Sequence, residues 1–117
     1  METINTRYIK IAENNRDHNN FLQVEFYYTL GGYQYSTHTK KPRGYYVSVT
    51  PIEKSDRRGV NMISVTAFIG VYELLEQCDR KSKKAEQAAR EKLPAYEKLL
   101  IDYICKKYGY ILEEAQR

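Results

Sequence analysis

Between Phe21 and Leu30 the chain alternates: Leu22, Val24, Phe26, Tyr28 and Leu30 share one parity, and Gln23, Glu25, Tyr27 and Thr29 the other. A period of two sustained over this length fits an extended strand with one buried face and no helix. Gly31 and Gly32 follow at once, and a glycine pair supplies the positive φ values that a two-residue hairpin needs. The register then predicted sets Leu30 opposite Tyr33, Tyr28 opposite Tyr35 and Phe26 opposite Thr37 on the core face. On the other face it sets Glu25 opposite His38 and Gln23 opposite Lys40.

Further strands are expected on either side. Residues 6–12 alternate weakly and read as a first strand, followed by a polar loop over 13–20. After the Lys-Lys-Pro-Arg-Gly stretch, Tyr45, Val47 and Val49 lie on one side and Tyr46, Ser48 and Thr50 on the other, until Pro51 removes a ladder donor and marks an edge or the strand's end. A polar turn over 53–59 leads to another alternating run, with Ile63, Val65, Ala67 and Ile69 against Met62, Ser64, Thr66 and Phe68. From Val71 the apolar spacing changes to that of a helix, through Val71, Leu74, Leu75, Cys78, Ser82, Ala85 and Ala89. Pro94 suits the first turn of a second helix and Gly109 its end near Tyr108. The expected fold is α+β, a single domain over 1–117 with an antiparallel sheet of four or five strands followed by two C-terminal helices. The second helix is apolar on more than one stripe, which calls for two neighbours, and a homodimer through this helix supplies one of them.

Bulk properties narrow the function. At 117 residues the chain is long enough for one unstapled core. No run is apolar enough to span a membrane, and the start lacks a signal-peptide core, so a cytoplasmic location is expected. Cys78 and Cys105 have no CxxC or Cys/His partner nearby, which predicts buried, reduced thiols and neither metal nor cofactor. The only histidines are His18, beside Asp17 in the polar loop, and His38. Neither sits in a recognisable catalytic motif, nor is there a GxSxG, a phosphate-cradling Gly-rich loop or an HExxH, so a non-enzymatic protein is expected.

A net charge of +4 permits phosphate binding without demanding it. Twelve tyrosines and no tryptophan are the unusual feature. Rings that stack on bases and cations that neutralise phosphates meet around the central strands: Tyr27 and Tyr46 on the outward face, Lys40, Lys41 and Arg43 in the adjoining loop, and Arg57 and Arg58 in the next turn. These seven residues form the candidate binding surface for a nucleotide or a nucleic acid. The basic run over 79–92, with Arg80, Lys83, Lys84 and Arg90, is diluted by Asp79, Glu86 and Glu91 and reads as a solvated helix face.

In its order of strands followed by an amphipathic helix, the chain resembles the single-stranded DNA-binding domains of the Whirly and transcriptional positive-coactivator types. That implies strand faces that bind nucleic acid and helices that assist dimerisation. The segments Leu30 to Glu53 and Asp79 to Glu86 also resemble small orphan proteins of phages and integrative elements of Gram-positive gut bacteria. This second resemblance implies counter-defence of the anti-CRISPR or anti-Thoeris kind in the cytoplasm of a bacterial host, by capture, through the same seven residues, of a nucleotide signal or of a host nucleic-acid enzyme such as a nuclease. The alternative expectation is a single-stranded nucleic-acid-binding module in replication or transcription.

Overall fold

A computed structural model describes residues 2–12, 18–34, 39–57, 60–65 and 70–113. The strongly alternating segment forms β2 (Phe21–Thr29), and its two edges are occupied by β1 (Glu2–Lys10) and β5 (Gly44–Arg57), both antiparallel to it. Tyr28 therefore pairs with Glu2 on one side and Tyr45 on the other, and Glu25 with Thr6 and Ser48. With both edges taken, the expected hairpin through Gly31 and Gly32 cannot form, and the register that set Leu30 against Tyr33 and Gln23 against Lys40 is overturned. The glycines do adopt positive φ, 79° and 136°, but they turn the chain out of the sheet. The short strands β3 (Gly32–Gln34) and β4 (Thr39–Lys41) then pair with each other as a separate two-stranded arm. The expected partners Tyr35, Thr37 and His38 lie outside the described residues.

β5 is long because it serves two partners along one edge. Its first half, from Gly44 to Val49, pairs with β7 (Val71–Gln77), and its second half, from Ile52 to Arg57, pairs with β6 (Val60–Val65). Pro51 lies at the changeover and does not end the strand. The Ile52 carbonyl accepts from the Asn20 N–H, 3.0 Å away on the β2 side. Alternation turns the Pro51 nitrogen to the opposite side, between the last β7 partner and the first β6 partner among the described residues, where the missing N–H disturbs no described ladder bond. The Asn20 side chain extends the same edge, with Nδ2 donating to the Lys54 carbonyl at 2.9 Å and Oδ1 accepting from the Lys54 N–H at 2.8 Å.

The expected antiparallel sheet is present, with five strands; the expected pair of helices is not. Val71–Gln77 is a strand, and one helix, α1 (Lys83–Tyr108), follows it. The helix-like spacing of Val71, Leu74 and Leu75 has a different cause. A bulge opposite Tyr45 and Tyr46 leaves Leu75 as the extra residue, buried in the core, while Leu74 pairs with Tyr46. A leucine doublet that serves both faces of a strand imitates a period of 3.6. At Pro94 the helix continues: the proline is exposed and inside α1, where it lacks the N–H that would bond the Arg90 carbonyl.

Both ends of α1 are capped. Ser82 Oγ accepts from the Ala85 N–H at 3.0 Å, and the N–H of Gly109, in the left-handed region at φ 75°, donates to the Cys105 carbonyl at 2.8 Å. The helix buries Ala89, Leu100, Ile101 and Ile104 against one face of the sheet, where Leu22, Val24, Phe26 and Tyr28 of β2 meet Tyr45, Val47 and Val49 of β5. Burying each of these larger side chains contributes roughly 1.5–3 kcal/mol. Beyond α1 the chain returns to β1: Leu112 bridges to Ile11, and Asn19 Nδ2 donates to the buried Tyr110 hydroxyl at 3.1 Å. Cys78 and Cys105 are free and half-buried, and burial raises both thiols above their ordinary pKa. No helix among the described residues is long and apolar enough to cross a membrane.

Candidate functional site

Pleat parity puts Tyr27 and Tyr46 on the sheet face turned away from α1, as their strands require. They are cross-strand partners. Contrary to the sequence expectation, neither is available as a stacking platform, since they are only 4 % and 1 % exposed. Their rings stack on each other, with centroids 5.7 Å apart and planes inclined by 12°. Tyr72 of β7, opposite Ser48, adds a third ring 5.7 Å from Tyr46 at 59° and stays 42 % exposed.

The space bounded by these rings holds the ammonium of Lys41. Its Nζ lies 5.2, 4.5 and 4.2 Å from the centroids of Tyr27, Tyr46 and Tyr72, and donates to the Tyr27 hydroxyl at 3.1 Å. Three ring faces and one hydroxyl thus replace the water that the cation gives up. The cost of that exchange appears in the titration behaviour. Burial lowers the Lys41 pKa, while burial and then the neighbouring Tyr72 push Tyr46 up to about 12. Burial raises Tyr27 as well, with smaller contributions from Tyr46, Tyr72 and Glu25.

Lys41 arrives there through the arm. Gly31 donates its N–H to Thr29 Oγ1 at 3.2 Å as the chain leaves β2, and Pro42 accepts a 2.5 Å hydrogen bond from the Tyr46 hydroxyl as it returns to β5. Arg43 ties the base of the arm to both neighbours, donating to the Leu30 carbonyl at 3.3 Å and the Asp79 carbonyl at 3.1 Å. Between the arm and the end of β7 lies a cleft of about 550 Å³. Lys40, Lys41 and Arg43 line it together with Gln77 and Asp79.

No family model, curated protein or solved structure matches this chain.

Of the seven sequence candidates, then, three converge on the cleft and two lie beneath Lys41. Arg57 pairs with Val60 through its backbone, and its side chain and all of Arg58 lie outside the described residues. Tyr72 was missed because Val71–Gln77 reads as helix; with a period of two it falls beside Tyr46. A second cluster on the same sheet face was missed as well. Lys54 lies 4.3 Å from the Tyr8 ring centroid and 5.5 Å from that of Phe21, with Lys10 5.2 Å from Phe21. Among the described residues no group of His, Cys, Asp and Glu is arranged to hold a metal ion. His18 is exposed in the polar loop at φ 63°, and Asp17 lies outside the described residues.

Charge pairing differs between the cleft and the middle of the helix. On and beside α1, Arg90 meets Glu86, Lys92 meets Glu76, Lys98 meets Asp102 and Lys81 meets Glu2. Among the described residues Lys40, Lys41 and Arg43 form no ion pair, and Arg43 meets the backbone carbonyl of Asp79 instead of its carboxylate.

Proposed function

We propose that this chain is a binding protein that takes a phosphate-bearing ligand, a nucleotide or a stretch of nucleic-acid backbone, in the cleft framed by Lys40, Lys41 and Arg43. One observation carries the reading: three cations line a single concavity with no carboxylate paired to them among the described residues, whereas Arg90, Lys92 and Lys98 of the helix each meet a carboxylate. Lys40 and Arg43 are exposed and can meet phosphate oxygens directly. Lys41 supplies its charge from the rim while its ammonium rests among the tyrosines. Capture of a nucleotide signal or a host nucleic-acid enzyme, which the mobile-element resemblance implies, would use the same cleft.

Recognition in this arrangement runs through phosphate and not through bases. The alternative of a single-stranded nucleic-acid module that stacks bases on Tyr27 and Tyr46 has less support, because both rings are already covered. Titration with a nucleoside triphosphate and with an unstructured oligonucleotide, at several salt concentrations, tests the reading. With Lys40 and Arg43 each meeting a phosphate of a single strand, log K is expected to fall with log salt at a slope of about −1.4. Lys40→Ala with Arg43→Ala should abolish binding, and Lys83→Ala with Lys84→Ala should leave it unchanged. Equal losses in the two pairs, or no binding by either ligand, would reject it.

A further inference from the structure

The tyrosine enclosure around Lys41 is a cation site already filled by the protein's own side chain. Its walls are two parallel rings and one tilted ring, its polar contact is the Tyr27 hydroxyl, and Glu25, two residues along the same face from Tyr27, adds negative charge nearby. No carboxylate pairs with the occupant among the described residues, so ring faces hold the charge. The outer wall, Tyr72, is partly open to solvent. Lys41 itself belongs to an arm whose strands pair only with each other, and it also lines the neighbouring cleft, so its flexible stem has a second place to put the charge.

We infer that Tyr27, Tyr46 and Tyr72 form a binding site for a quaternary alkylammonium head group, with Lys41 as the resident occupant that the ligand displaces. A quaternary ammonium suits such a box better than a primary one in two respects: it carries little hydration to remove and requires no hydrogen-bond acceptor. Displacement moves the Lys41 ammonium into the basic cleft, where it regains water. The site stands on the rings alone and does not depend on phosphate binding in that cleft.

The experiment compares choline with its uncharged carbon isostere, neohexanol, by calorimetric titration and by the NMR signals of the tyrosine rings. The proteins are the wild type, Lys41→Ala and Lys41→Ala/Tyr72→Ala. Lys41→Ala is expected to bind choline about tenfold more tightly than neohexanol. Wild type should bind choline more weakly than Lys41→Ala, because its own ammonium competes, and the further loss of Tyr72 should remove the preference for charge. A peptide bearing trimethyllysine, compared with the same peptide unmodified, tells a protein side chain from a free head group as the source. If choline binds no better than neohexanol, or if its advantage survives without Tyr72, the site is rejected. Should Lys41→Ala not fold, wild type decides: choline shifts of the three ring signals that neohexanol does not reproduce support the site, and their absence at saturating choline rejects it.

Discussion

Tyr27 and Tyr46 face each other across the β2–β5 ladder, ring on ring, and the cation they share comes from Lys41, outside the five-stranded sheet. The pair therefore joins the arm to the sheet. Replacing Tyr46 by Ala removes a ring, a hydroxyl bond to the Pro42 carbonyl and one wall of the box, and is expected to cost about 3–5 kcal/mol in urea unfolding. Tyr46→Phe keeps the ring and loses only the hydroxyl bond, so about 1 kcal/mol is expected. Equal costs for the two would mean that the ring contributes nothing beyond its hydroxyl.

Alkaline pH gives a second test. Burial raises Tyr27, Tyr45 and Tyr46 above the phenol value of 10.0, Tyr46 to about 12. A group whose folded pKa is raised stabilises fully below its unfolded pKa, and that stability is lost as pH climbs towards the folded value. Lys41, lowered by burial, has the opposite sign: folding is favoured increasingly as pH approaches 10.5 from below. Unfolding midpoints should hold or rise up to about pH 10 and fall between about pH 10 and 12, with Tyr46→Phe flattening the fall. A steady decline beginning below pH 9 would contradict this assignment.

Two glycines share nearly the same φ in different surroundings. Gly31 has φ 79° and Gly109 φ 75°; a Cβ at Gly31 would run into the Lys41 carbonyl, whereas at Gly109 it would meet nothing within 4 Å. Gly109→Ala should cost about 1 kcal/mol, from the left-handed backbone alone. Gly31→Ala should cost clearly more, and it should also perturb the Lys41 ammonium, which NMR of that group reports. Matching costs would indicate that the base of the arm is loosely packed.

The N-terminal cap of α1 is a local device with a local effect. Ser82→Ala is expected to lower stability by about 1 kcal/mol in urea unfolding, without changing affinity in titrations with a nucleoside triphosphate or with choline.

The homodimer expected from the C-terminal helix remains a proposal, with a defined surface. Leu99 and Tyr103 of α1 are 62 % and 48 % exposed and border a groove of about 340 Å³ shared with Val71 and Tyr72 of β7. The same apolar groove on a second copy is the proposed occupant. Light scattering should then give twice the chain mass of 13.8 kDa, and Leu99→Lys should halve it. A monomeric wild type at micromolar concentration would exclude the dimer.

The strand character and parity of β2 and of the first half of β5, and the end of the helix, were legible in the sequence, because each rests on contacts between near neighbours. The alternation of Leu22, Val24, Phe26 and Tyr28 already separates the buried face from its opposite. Lys40, Lys41 and Arg43 were legible as a basic group because they are adjacent in the chain. Pairing was not legible. That β2 has β5 and not the glycine-led segment beside it depends on which long-range partner buries more side chains, and two glycines favour a turn without choosing the strand to be paired after it. The helix was misread for a similar reason: Leu74 and Leu75 serve two faces of a bulged strand, and only its pairing with β5 shows why.

Sequence alone, then, determined the parity of β2 and β5 and the two chemical ingredients, phenol rings and amines, since alternation acts within a few residues. Tertiary structure alone decided that the rings enclose a lysine instead of lying open to a base. That outcome needs Tyr27, Tyr46, Tyr72 and Lys41, carried on four different strands, to meet at one point, and no local preference encodes such a meeting.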